Sequence, residues 1–103
     1  MTTNEEQISM TKDLLIDTVE LGKKIDNHSD QLPYKSGLLK TLVDIEEVLS
    51  SEPLDLDRLG KDEFGIFRMV TDNSSLEDSA IGKELLSLLK KFHLFRQVIK
   101  EQE

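Results

Sequence analysis

Residues 55–63 carry oxygen-bearing side chains at some of the spacings that a calcium-binding loop requires. Asp55 and Asp57 match the first and third ligand positions, and a glycine stands at the sixth. However, Leu59 occupies the fifth position and Ile66 the twelfth, where further ligand oxygens are needed. Too few oxygens are present to replace the hydration shell of Ca²⁺. The sequence therefore predicts a charged segment between helices rather than a metal site.

Glu63 is the carboxylate whose position in the sequence could make it a general acid. If residues 56–71 form one continuous helix, Glu63 lies on its apolar stripe, where burial would raise its pKa. If the helix restarts after Gly60 with Asp62 as its cap, Glu63 lies in a solvated first turn. Both starts stay open, because Gly60 and Gly65 each weaken a helix by up to about 1 kcal/mol relative to alanine. We expect the solvated position.

The two histidines form neither a metal site nor a catalytic pair in the sequence pattern. His28 falls in a predicted turn and His93 on the last predicted helix, without metal ligands at suitable spacing beside either. The sequence contains no Gly-x-Ser-x-Gly elbow, glycine-rich phosphate loop or Glu-x-x-His pair. We therefore expect a protein that is not an enzyme and that binds no metal and no cofactor.

The chain has 103 residues and no cysteine, which predicts one domain without disulfides or thiolate metal sites. Its N-terminal segment begins polar and acidic, unlike a signal peptide, and no apolar run approaches the roughly 18 residues of a membrane span. These features predict a cytoplasmic protein without a membrane partner.

The net charge of −8 is distributed unevenly: residues 81–103 hold five basic and three acidic side chains, whereas the rest of the chain is strongly acidic. An acidic body argues against general nucleic-acid binding. It suits a basic protein partner, which would bind the polar face of the first helix together with Asp44, Glu46, Glu47, Glu52, Asp55 and Asp57. The alternative is a solvated acidic face that only keeps the protein soluble.

Apolar residues spaced three and four apart predict four helices, at about residues 4–27, 34–50, 56–71 and 76–101. Loops of about five to seven residues are typical of antiparallel neighbours in a bundle. The last helix has two candidate starts: Ser74, which has the capping-box spacing with Glu77, and Ser79. The predicted fold is an all-α, single-domain antiparallel four-helix bundle.

Each predicted helix has an apolar stripe that we expect to form the core. The stripe of the first helix is Met10, Leu14, Thr18, Leu21 and Ile25, and that of the second is Leu38, Leu42, Ile45 and Leu49. The stripe of a continuous third helix is Leu56, Leu59, Ile66, Phe67 and Val70. The stripe of the last helix is Ile81, Leu85, Leu88, Phe92, Phe95 and Ile99.

The last helix has more apolar surface than its stripe. Leu94 and Val98 flank the stripe on one side and Leu86 and Leu89 on the other, so that apolar residues cover about 240° of the helix. Such a helix is either central to a bundle or partly reserved for a partner.

We expect the partner to bind a C-terminal strip that joins apolar anchors to cations, namely Leu86, Leu89, His93, Arg96 and Lys100. The cations would reach carboxylates on a partner or on a second copy of this acidic chain. Alternatively, the stems of Arg96 and Lys100 only cover apolar surface of their own fold.

The function expected from these features is stoichiometric binding to another protein, as an inhibitor, immunity or regulatory protein of bacterial or phage type. The alternative is a structural subunit of a homo-oligomeric or hetero-oligomeric complex, and a homodimer stays open. Fold-level analogy carries little weight in choosing between them.

Overall fold

The computed structural model describes residues 4–51 and 53–101 of the chain. These residues form helices and loops and no strand. The helices are α1 (Asn4–Asp26), α2 (Lys35–Ser50), α3 (Leu56–Thr71), α4 (Ser74–Asp78) and α5 (Ala80–Glu101). The predicted bounds of the first three helices are confirmed to within one residue. Glu52, which the sequence analysis assigned to an acidic face, lies outside the described residues.

The predicted fourth helix, residues 76–101, is two helices, so this part of the prediction is wrong. Asn73 rather than Ser74 caps α4, because its side chain accepts a hydrogen bond from the Leu76 N–H at 3.0 Å. The chain is then extended at Ser79, whose hydroxyl accepts a hydrogen bond from the Gly82 N–H at 3.0 Å. Ser79 therefore starts α5, and the short helix α4 precedes it.

The third helix is continuous through Gly60 and Gly65. Asp55 caps its N-terminus by accepting a hydrogen bond from the Arg58 N–H at 3.0 Å. This cap satisfies one of the free N–H groups of the first turn, so the helix has already begun before Gly60. A restart at Asp62 does not occur, and residues 55–63 are a capped helix start rather than a metal-binding loop.

The four long helices pack in the order α1, α2, α3, α5, each against two of the others, while α4 contacts α3 and α5. Contacts between side chains show the relative direction of two of these helix pairs. In α1 and α5, Asp17 pairs with Lys91 and Lys24 with Glu84, each at 3.0 Å, so the start of one helix faces the end of the other. In α2 and α3, Glu47 pairs with Arg58 and Gly37 lies beside Met69, so these two helices also run in opposite directions. Each long helix thus has a face turned to solvent.

The predicted stripes form most of the core. Its buried apolar members are Leu14, Leu21, Ile25, Leu32, Leu38, Leu42, Ile45, Val48, Leu49, Leu59, Ile66, Val70, Leu76, Ile81, Leu85, Leu88, Phe92 and Phe95. Thr18 is also buried, and its hydroxyl donates a hydrogen bond to the Leu14 carbonyl at 2.6 Å, which satisfies it inside the apolar layer. Met10, Leu56 and Ile99 are half-buried. Of the predicted α3 stripe, Leu56 and Phe67 do not join the core, and Phe67 is exposed.

Candidate protein-binding groove

A groove of about 690 Å³ lies between α3 and α5 on the surface of the protein. Its apolar lining comes from Phe64 and Phe67 of α3 and from Leu86, Leu89 and Leu94 of α5. We call this surface the α3/α5 groove. Gly60, Glu63, Lys90, His93 and Arg96 complete its lining. The groove therefore combines an apolar floor with several charged or ionisable side chains.

Large apolar side chains at the groove remain exposed to solvent. Phe64 is 61% exposed, Leu94 58% and Phe67 48%. The prediction of Phe67 as a core residue is wrong, because Phe67 lies at the edge of the α3 stripe and faces the opening between the helices. Contiguous exposed apolar residues of this size mark interaction sites more often than isolated ones do. The groove is thus the main candidate functional site among the described residues.

Gly60 lies beside the end of the Arg96 side chain at one end of the groove. A Cβ atom at this position would lie 3.3 Å from Nη1 and 3.6 Å from Cζ of Arg96. Because glycine has no side chain, the Arg96 guanidinium lies against the backbone of α3. From that position it reaches Glu63 one turn further along the helix. Gly60 therefore weakens the local helix but makes room for an ion pair.

Glu63 and Arg96 form this ion pair at the wall of the groove. Nε of Arg96 lies 2.6 Å from Oε2 of Glu63, and Nη2 donates a hydrogen bond to Oε1 at 3.3 Å. The 2.6 Å contact joins opposite charges without the alignment of a good hydrogen bond. Glu63 is only 7% exposed. The expectation of a solvated Glu63 is therefore wrong, and the continuous-helix alternative describes its position.

The environment of Glu63 favours its protonated form. Burial raises the pKa of the carboxyl above its ordinary value of 4.5. The hydrogen bond and positive charge of Arg96, together with the nearby His93, act in the opposite direction without cancelling the effect of burial. Burying an ion pair often costs more in lost hydration than the pairing returns. The pair therefore links α3 to α5 and is weak evidence for added stability.

We expect the pKa of Glu63 to appear as pH-dependent stability. Below pH 4.5 the carboxyl is protonated in both states; as the pH rises, the folded state keeps the proton longer, so the free energy of unfolding falls. Glu63→Gln removes this loss, and the variant should therefore gain stability relative to the wild type as the pH approaches neutrality. Urea unfolding of both proteins across pH 4 to 8 measures the difference. A difference in the free energy of unfolding between the two proteins that stays constant with pH, or that changes in the opposite direction, would contradict the raised pKa of Glu63.

The structure brings together four of the five residues predicted as a partner-binding strip. Leu86, Leu89, His93 and Arg96 all line the α3/α5 groove. Lys100 does not, because it lies beside a separate depression lined by residues 53–57. The ion pair with Glu63 also shows that Arg96 is not a free surface charge. The groove further includes Leu94, which the sequence analysis assigned to the opposite flank.

The contribution of α3 to this site was not predicted from the sequence. Phe64 belongs to none of the predicted stripes, yet it is the most exposed large apolar residue of the groove. An aromatic residue on the polar side of an amphipathic helix is the signal that could have located it. The Arg68 guanidinium lies over the Phe64 ring, 5.9 Å from its centroid, and adds a cation beside the groove.

The acidic face is partly neutralised within the fold. Arg58 lies 3.1 Å from Glu47 and 4.0 Å from Asp44, while Asp17 pairs with Lys91. These pairs are solvent-exposed and contribute little stability. They leave fewer free carboxylates for a basic partner than the sequence alone indicated.

Neither histidine is placed in a metal site by the described part of the chain. His28 lies in the exposed loop after α1, and His93 lies at the groove, with Nε2 at 3.2 Å from the Gln97 amide nitrogen. No group of three or more His, Asp or Glu side chains in the described segments could hold a metal ion.

The chain matches no protein-family model, no curated protein and no solved structure in comparisons with known proteins. Within residues 4–51 and 53–101, no helix is both long enough and apolar enough to cross a membrane.

Proposed function

We propose that this protein binds another protein stoichiometrically through the α3/α5 groove. In this proposal the four long helices form an antiparallel four-helix bundle, which serves as a scaffold. The two helices that flank the groove supply the binding residues. The single observation that carries the proposal is the convergence of Phe64, Phe67 and Leu94, each about half exposed or more, on one groove. Aromatic residues and arginine are enriched in the residues that dominate binding energy at interfaces.

The completeness of the core supports a protein that folds before it meets its partner. The buried cluster includes residues from all five helices and does not need the exposed side chains of the groove. A protein of this kind acts as an inhibitor, an immunity protein or a regulator of bacterial or phage type, and a location in the cytoplasm is part of the proposal. No catalytic step is assigned to it. The alternative is a structural subunit whose groove is filled permanently within an oligomer.

The proposal is tested by removing the apolar side chains that line the groove. Tagged wild-type protein should retain a partner in stoichiometric amounts when it is purified from the cells that produce it. Phe64→Ser combined with Leu94→Ser should lose that partner, because two exposed apolar anchors are gone. Each change should alter the free energy of unfolding by only about 0.5 kcal/mol, since both side chains are exposed.

Val43→Ser is the matched control, since Val43 is 51% exposed but lies on α2, away from the groove. This variant should keep the partner. A partner that stays with the double variant would contradict the proposal. Sedimentation of the purified protein distinguishes the proposed function from the alternative. We expect the wild type to be a monomer. A wild-type oligomer, together with a monomeric double variant, would support the structural subunit.

A further inference from the structure

We propose that the groove accepts an amphipathic helix whose apolar stripe is flanked by carboxylates. This inference rests on the proposed function and specifies the class of partner segment. It differs from the basic partner expected from the acidic composition of the chain, because the groove has a local charge opposite to that of the whole protein.

The shape of the groove fits two turns of a helix. Its lining runs along α3 from Gly60 to Phe67 and along α5 from Leu86 to Arg96, with Arg96 beside Gly60 at one end. At about 1.5 Å per residue, the α3 side spans roughly 10 Å, or two helical turns. A third helix laid between two antiparallel helices can bury a stripe of residues at positions i, i+3 or i+4, and i+7. Phe64, Phe67 and Leu94 are placed to cover such a stripe.

The charges of the groove favour carboxylates on the incoming helix. Glu63 and Arg96 neutralise each other in their ion pair. Lys90 lines the groove and Arg68 stands over the Phe64 ring, and neither lies within 4 Å of a carboxylate in the described residues. The groove edge is therefore positive although the chain has a net charge of −8. Acidic side chains flanking an apolar stripe would pair with these cations.

The same charges argue against a second copy as the occupant. A symmetric dimer would place the groove of one copy on the groove of the other. Lys90 and Arg68 would then face the same cations of the second copy, and like charges brought together at an interface cost binding energy. A different protein with acidic flanks avoids this repulsion.

The test uses two synthetic peptides of about 15 residues, which are stapled or rich in helix-favouring residues. At this length such peptides can form the helical turns that the groove requires. Both carry the same leucine stripe at i, i+4 and i+7, with glutamates on both flanks in one and lysines in the other. Binding to the full protein is measured by fluorescence anisotropy in about 0.15 M salt. At this salt concentration charges more than roughly 8 Å apart are screened, which limits the attraction of the basic peptide to the acidic surface of the rest of the protein. The acidic peptide should bind about tenfold more tightly than the basic one.

Three variants separate failure of this inference from failure of the proposed function. Phe64→Ser should weaken binding of the acidic peptide about tenfold, since an anchor is lost, and Val43→Ser should not. Lys90→Glu should remove the preference for the acidic peptide. Equal binding of both peptides, lost in Phe64→Ser, would overturn the acidic partner but leave the groove as the binding site. Binding that Phe64→Ser does not change would overturn the groove itself, and no binding of either peptide would overturn the helical occupant.

Discussion

Arg96→Glu should destabilise the protein by about 3 kcal/mol, because it leaves a buried carboxylate facing a second carboxylate. Glu63 is 7% exposed, and Arg96 is its ion-pair partner in the described structure. Removing one member of a buried pair typically costs about 3–5 kcal/mol, and the partial exposure of Arg96 places this case at the lower end. Chemical unfolding at pH 7 measures the loss. Lowering the pH should reduce it, since protonation of Glu63 removes the repulsion.

Lys100→Glu provides the control for a charge reversal on the same helix. Lys100 is exposed near the end of α5 and has no ion pair among the described residues. Its replacement should change the free energy of unfolding by about 0.5 kcal/mol or less. If Arg96→Glu proved as mild as Lys100→Glu, the ion pair at the groove wall would be contradicted. The sequence alone assigned both residues to one partner-binding strip and did not distinguish them.

Gly82→Ala should destabilise the protein by about 2–3 kcal/mol, because α4 and α5 meet at this glycine without space for a side chain. A Cβ atom there would lie only 1.9 Å from the Leu76 carbonyl oxygen and 3.2 Å from Cα of Glu77. Both are backbone positions, so they cannot give way by a change of rotamer. The short helix would have to move away from α5, which would also expose the buried Leu76 side chain.

Gly65→Ala is the matched control for this substitution. Gly65 lies inside α3, and a Cβ atom there would meet nothing within 4 Å. Alanine should therefore stabilise the protein by up to about 1 kcal/mol through its higher helix propensity. Thermal unfolding of the two variants should shift the midpoint in opposite directions. A stable Gly82→Ala variant would contradict the close packing of α4 on α5.

The helices and their buried faces were largely predictable because local information determines them. The stripes in α1, α2 and α5 repeat every three or four residues, and burial of one face follows from that period. The break at Ser79 was harder to predict, because Ser74 and Ser79 are both suitable caps. In the structure the backbone is extended at Ser79, and its hydroxyl accepts a hydrogen bond from the Gly82 N–H, so the long helix begins at the second serine.

The state of Glu63 could not be predicted, because its partner lies 33 residues away in the sequence. The neighbouring residues allowed either a buried or a solvated position for Glu63. The low helix propensity of glycine argued against a helix that continues through Gly60. In the folded protein, the same glycine makes room for the Arg96 guanidinium, so tertiary packing reverses the local argument. The residues of the C-terminal strip could be grouped from the sequence because they lie on one helix. The groove could not be located in this way, because two of its five apolar lining residues lie on another helix.

Phe64 and Phe67 illustrate the limit of periodicity. Both lie beyond the edge of the buried α3 stripe, and whether such residues are covered depends on how closely the neighbouring helix approaches. No residue of α5 covers them, and they remain about half exposed or more. Helix spacing is a property of the packed structure and cannot be obtained from one stripe alone.

The most direct test of the account is site-specific photo-crosslinking with the same groove and control positions. A photoreactive residue replaces Phe64 or Leu94 at the groove, Val43 on α2, or Glu20 on the acidic face of α1, in cells that produce the protein. The account predicts one product of defined mass from positions 64 and 94 and none from position 43. A product that forms at position 20 and not at 64 or 94 would show that the partner binds the acidic face and would contradict the groove.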